Sequence, residues 1–194
     1  MAKAAVKLFD AEKSPYMTKT LHCSCAAHTE LKPCELAPGL TGLLCTSCGG
    51  HMLMLEDYRV WRSTAPAQPA TSATATAEDN SARHCPACTR LMQRYRVGST
   101  PDFWVDRCAS CQAVWFAGGE WQALLAAGMG TRLEDILTDA WQRQVQAEEL
   151  RKGRETVLRQ RYGAATMDEL ARIRQWLHAQ PERDELLALL RADW

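Results

Sequence analysis

The sequence predicts a small α+β protein: two β-hairpin units, each followed by a short helix, and then an all-α C-terminal region. Three observations lead there. Cysteines come in spaced pairs inside two stretches of about forty residues. Those stretches match each other at a nearly constant offset. Beyond residue 131 cysteine disappears and apolar residues recur at helical spacing. The expected organisation is an N-terminal extension over 1–20, a first unit over 21–62, a linker over 63–82, a second unit over 83–130 and a helical domain over 131–194.

The second unit carries the stronger signal. Cys85-Pro86-Ala87-Cys88 and Cys108-Ala109-Ser110-Cys111 are two C-x₂-C pairs with nineteen residues between them. A C-x₂-C turn lets two thiolates converge on one ion, and two such turns brought together by a hairpin complete a tetrahedral S₄ site. The intervening YRVGSTPDFWVDR reads as two extended arms about a Gly-Ser-Thr-Pro turn. Cys85, Cys88, Cys108 and Cys111 are therefore the expected ligands of a structural Zn²⁺, with no coordination position left open for hydrolysis.

Laid over the second unit, the first matches it twice. Cys25, His28, Thr29 and Leu31 fall on Cys85, Cys88, Thr89 and Leu91 at an offset of 60, and Cys45 and Cys48 fall on Cys108 and Cys111 at an offset of 63. The second offset continues beyond the cysteines: Leu53 meets Phe116, Asp57 meets Glu120, Tyr58 meets Trp121 and Trp61 meets Leu124. An acid followed by an aromatic at one fixed distance in both stretches points to an internal duplication. It predicts a Cys₃His site from Cys25, His28, Cys45 and Cys48, and hence two structural Zn²⁺ per chain. A competing set replaces His28 by Cys23 or Cys34. Cys23-x-Cys25 is tight for an ordinary knuckle, and Cys34 stands partway up the hairpin.

Each unit resembles the transcription factor IIB-type zinc-finger family, a bacterial zinc ribbon with the pattern C-P-x-C…L…C-x-x-C-G-G-x-W-L…E-L. The second unit supplies CPAC, Leu91, CASC, Trp115, Phe116 and Glu120; the first supplies CTSC, Gly49, Gly50, Leu53 and Asp57. The second has Gln112-Ala113 in place of the double glycine, and the first lacks the proline and has His28 for a cysteine. The resemblance covers about 85 of the 194 residues. It implies zinc binding and a ribbon fold, and no particular activity.

Residues 63–82, STAPAQPATSATATAEDNSA, have no apolar period and read as a mobile linker. Downstream, Leu133, Ile136, Leu137, Trp141 and Val145 hold a helical stripe that resumes with Val157, Leu158 and Tyr162 before Gly163. Thr166 and Glu169 have capping-box spacing for a second helix bearing Leu170, Ile173, Trp176 and Leu177. Pro181 suits the first position of a third helix, PERDELLALLRA. Such stripes usually pack on one another; left uncovered, they make a docking or oligomerising surface.

The N-terminus lacks the apolar run of a secretion signal, and no segment approaches the ~18 residues of a membrane span. The reading is a cytoplasmic protein without membrane partners, where nine cysteines favour metal over disulfides. The 23 basic residues are balanced by 23 acidic ones, which argues against electrostatic capture of nucleic acid. Local basic stretches remain, Arg90, Arg94, Arg96 and Arg107 near Trp104, and Arg151 to Arg161. They keep nucleic-acid or transcription-complex binding as the alternative to a protein partner. No Ser/His/Asp constellation is visible, so the expectation is a non-enzymatic interaction protein. Thiol redox or zinc handling is the lesser alternative. Trp61, Trp104, Trp115 and Trp121 are candidate contacts, with core packing the competing role for Trp115 and Trp121 above all. Oligomeric state is not legible.

Overall fold

The computed structural model describes residues 19–64, 82–98 and 102–192. Most of the N-terminal extension, most of the expected linker and the turn at 99–101 lie outside the described residues. The chain divides into two compact units, 1–145 and 146–194.

The first unit is built on one six-stranded antiparallel sheet of order β1-β2-β3-β6-β5-β4. Its first half is β1 (Leu31–Ala37), β2 (Leu40–Cys45) and β3 (His51–Met54), followed by α1 (Leu55–Thr64). Its second half is β4 (Gln93–Arg96), β5 (Trp104–Arg107) and β6 (Ala113–Phe116), followed by α2 (Glu120–Ala126). Pro38-Gly39 closes the β1–β2 hairpin, where Gly39 has φ 78° and donates its N–H to Glu35 Oε1 at 3.1 Å. Pro33 is confined to an outer strand, the one place where its missing N–H interrupts no ladder.

The two halves join through β3 and β6, with His51 opposite Phe116, Met52 opposite Trp115, Leu53 opposite Val114 and Met54 opposite Ala113. Met52 and Trp115 are each other's counterparts at the offset of 63 found in the sequence. The His51–Phe116 pair is likewise the counterpart of the Leu53–Val114 pair. The register is thus that of a local two-fold axis passing between Met52 and Trp115.

Strand alternation sends side chains to two faces. One face carries Leu53, Val114 and Phe116 against Tyr58 and Trp61 of α1 and Trp121 and Leu124 of α2, all buried. The other carries Met52, Met54, Ala113 and Trp115 together with Cys23, Cys45, Cys85 and Cys108. A 3₁₀ turn (Gly130–Arg132) and α3 (Leu133–Ile136) then add Leu133, Ile136 and Leu137 to the helix-covered core. Tyr58 ties them down: its hydroxyl donates to Gly130 O at 3.0 Å and accepts from Leu133 N at 3.0 Å.

The long helical stripe breaks at Thr138, whose hydroxyl accepts from Trp141 N at 3.2 Å and starts α4 (Asp139–Tyr162). Gln142, in the first turn of α4, accepts from Arg96 N at 3.0 Å and donates to Arg96 O at 2.9 Å. It thereby occupies backbone groups of the outer strand β4 as a neighbouring strand would.

In the second unit, α4 continues to Gly163 (φ 86°), and α5 (Ala164–His178) and α6 (Arg183–Arg191) follow. Two expectations shift here. The helix α5 begins directly after Gly163, so Thr166 lies inside it and forms no capping box. Pro181 and Glu182 form a turn ahead of α6. The stripes do not bury one another: α4 and α6 have no buried residue and α5 has only Leu177. Among the described residues no helix is long and apolar enough to cross a membrane.

Candidate metal centres

Two groups of four thiols converge on the sheet face opposite the helices. Cys85, Cys88, Cys108 and Cys111 form one, and Cys23, Cys25, Cys45 and Cys48 the other, each with its sulfurs mutually within 4.8 Å. All are free thiols. In the second-half group Cys85 Sγ lies 3.3 Å from Cys111 Sγ and Cys88 Sγ 3.5 Å from Cys108 Sγ. In the first-half group the matching pairs are Cys23 with Cys48 at 3.7 Å and Cys25 with Cys45 at 3.9 Å. A tetrahedral ion with metal–sulfur bonds of about 2.3 Å holds its sulfurs about 3.8 Å apart, so both groups fit one.

The second-half group contains the four residues expected from its two C-x₂-C turns. The first-half group brings Cys25, Cys45 and Cys48 together but takes Cys23 where the duplication pointed to His28. The physical reason lies in the turn. His28 is exposed and left-handed, φ 44°, with its N–H bonded to Cys25 O at 3.0 Å. Its backbone counterpart is Thr89, φ 60°, the residue after Cys88. Hydrogen bonds fix this register. Cys23 N donates to Thr29 O as Cys85 N does to Arg90 O, and Leu31 N to Leu21 O as Met92 N does to Arg83 O. Cys23 is thus the counterpart of Cys85 at an offset of 62, and the first turn holds one extra residue. Cys25, two positions along, reaches the place of Cys88. A signal for this stands in the sequence: His22-Cys23 repeats as His84-Cys85, and both histidines make isolated bridges, to Glu30 and Leu91. Cys34 packs on the helix-covered face, away from both groups, where burial pushes its thiol up.

The electrostatics of each group call for a cation. Burial alone would raise the Cys45 thiol. The N–H groups of Cys48 and Ser47 and the neighbouring thiols of Cys48 and Cys23 outweigh it and bring Cys45 down to about 7. Cys108 reaches about 7 in the same way, through the N–H groups of Cys111 and Ser110 and the thiols of Cys111 and Cys88. The partners move oppositely. Burial raises Cys85 to about 11, and burial with crowding by other cysteines raises Cys23 and Cys111 further. Thiolates this close repel, so the raised thiols of Cys23, Cys48, Cys85 and Cys111 need a divalent ion to displace their protons.

A polar cluster backs the second-half group. Arg83 lies over the Trp115 ring with its guanidinium carbon 4.7 Å from the centroid, and its Nε is 3.7 Å from Asp106 Oδ2. Arg94 Nε lies 3.5 Å from Asp106 Oδ1. Arg83 also donates to Ser24 Oγ at 3.4 Å, joining the approach to Cys85 to the turn between Cys23 and Cys25.

Fold and site together define the class: a mixed α/β chain with two Cys₄ groups, each able to hold a metal ion. No protein-family model, curated protein or solved structure matches the chain.

Proposed function

We propose that the chain is a non-enzymatic protein in which two structural zinc ribbons, tandem copies of one unit, stabilise a sheet, and the helical C-terminal region binds another protein. The observation that carries the metal half is the pair of all-cysteine tetrads. Four thiolate ligands match zinc in donor type and spacing, and they leave no position for a substrate. The duplication is supported by the axis between Met52 and Trp115 and by the matching turn hydrogen bonds. Nine free thiols suit a reducing compartment.

The interaction half is supported by apolar side chains left uncovered on the tail, Trp176 and Leu150 among them, 54% and 72% exposed. The ribbon tryptophans are poorer candidates: Trp61, Trp115 and Trp121 are core residues, and only Trp104 is partly exposed. Nucleic-acid binding is disfavoured by how the arginines are engaged. Arg94 and Arg96 flank Trp104 while meeting Asp106 and Asp102, and Arg151 and Arg159 meet Glu155.

Metal analysis of the purified chain tests the assignment. Two zinc per chain are expected, falling to one in Cys23→Ala and staying at two in His28→Ala; the reverse pattern would restore the Cys₃His set. Affinity purification of the tagged chain from its host, with nuclease treatment, tests the other half. Partners that survive nuclease are expected, and partners lost with it would favour nucleic acid.

A further inference from the structure

The second unit contains both a groove and a segment suited to fill it. Helices α4 and α5, joined at Gly163, line a groove of about 670 Å³, too large for a single side chain. The groove is polarised along its length. Near the turn its apolar lining is Leu158 and Tyr162 from α4 with Met167 and Leu170 from α5, and the one carboxylate in the lining, Glu155, is neutralised by Arg151 and Arg159 at 3.5 and 3.1 Å. One helical turn further from Gly163 on each arm stand Arg154 and Arg174. These two arginines have no ion pair among the described residues, whereas Arg159, nearer the turn, pairs with Asp168 at 2.7 Å. An occupant should therefore place leucine-like side chains at the closed end and carboxylates one turn away.

Helix α6 has that order. Glu182 and Glu185 stand at its start, Leu189 follows Glu185 by one turn, and Leu190 adjoins it. Leu189 and Leu190 are 50% and 64% exposed, and neither glutamate has an ion-pair partner among the described residues. No α6 residue lines the groove of its own chain. Building on the reading of the tail as an interaction surface, we infer that its partner is a second copy of this chain. Helix α6 of each copy lies in the α4–α5 groove of the other and runs parallel to that α4, with Glu182 and Glu185 against Arg154 and Arg174 and with Leu189 and Leu190 at the closed end. The exchange is reciprocal, so one two-fold axis closes the assembly as a dimer.

Sedimentation of the full, zinc-loaded chain over a wide range of concentration and at two salt levels tests this. A reversible dimer weakened by salt is expected. Glu182→Arg with Glu185→Arg should weaken it by about tenfold or more, and Arg154→Glu with Arg174→Glu should do the same. All four changes together should restore it, and Leu189→Asp with Leu190→Asp should abolish it, with far-UV circular dichroism unchanged throughout. A dimer indifferent to the charge reversals, or not restored by the fourfold exchange, would place the interface elsewhere and overturn the inference. A chain monomeric throughout also overturns it. If that monomer binds a synthetic amphipathic helix with an acidic first turn, the tail still docks a partner of another kind; if it binds neither, the interaction reading of the tail falls too.

Discussion

Burial in the core raises the Glu120 carboxyl to about 7 from its ordinary 4.5, and Asp106 adds to the rise. The Ala117 N–H, bonded to Oε2 at 2.6 Å, and the charges of Arg94 and Arg83 act against it. The sign follows from the two protonation equilibria. Below pH 4.5 the folded and unfolded chains both hold the proton, and the contribution to stability is complete. As pH rises towards 7 the unfolded chain releases the proton first, and that contribution is lost, up to about 3 kcal/mol. Glu120→Gln keeps an acceptor for Ala117 and removes the charge. Urea unfolding of both chains at matched zinc should show the variant's advantage growing between pH 4.5 and 7. An unchanging difference would mean that Glu120 does not titrate in that window. The counterpart Asp57 is also raised, by burial and then by Glu56, so the shared acid marks an equivalent place in each half. At this scale the sequence was legible where spacing alone decides, as in Cys85, Cys88, Cys108 and Cys111. It misled at His28, because one extra residue in a turn shifts the register, and a left-handed backbone position looks like a ligand position.

Strands β3 and β6 are only four residues each, and their pairing is the seam of the sheet. Trp115 lies on this seam with Arg83 over its ring and Gly50 beside it. A Cβ at Gly50 would stand 2.3 Å from Trp115 Cζ2. Gly50→Ala must therefore push the indole off its place, and a loss of about 1–3 kcal/mol in denaturant unfolding is expected. An unchanged midpoint would show that the ring has room to shift. The repeat at offset 63 contains this seam implicitly, yet sequence could not reveal it. A duplication says that two units are alike, and says nothing of which edges they join. The same limit applies to the helical tail, where periodicity located the apolar stripes but not whether anything covers them.

Across the first unit, both thiol groups sit against one sheet face that shares Met52, Met54 and Trp115. Stripping the metal would leave crowded, buried thiols to reprotonate beneath the seam. Chelation should therefore release two zinc per chain and collapse the near-UV circular dichroism of the buried tryptophans, with restoration on adding zinc back. A near-UV spectrum indifferent to chelation would show that the sheet stands without the metal. The sequence by itself determined the class of the molecule: the cysteine pairs, their soft-ligand chemistry and the helical tail are all encoded in short-range spacing. Only the tertiary structure decided that Cys23 joins the first tetrad, that the halves share one sheet, and that Leu150, Leu170, Leu189 and Leu190 of the tail are left exposed within the chain. Each of these depends on which distant backbone and side chains come together in space, and local periodicity carries no information about that.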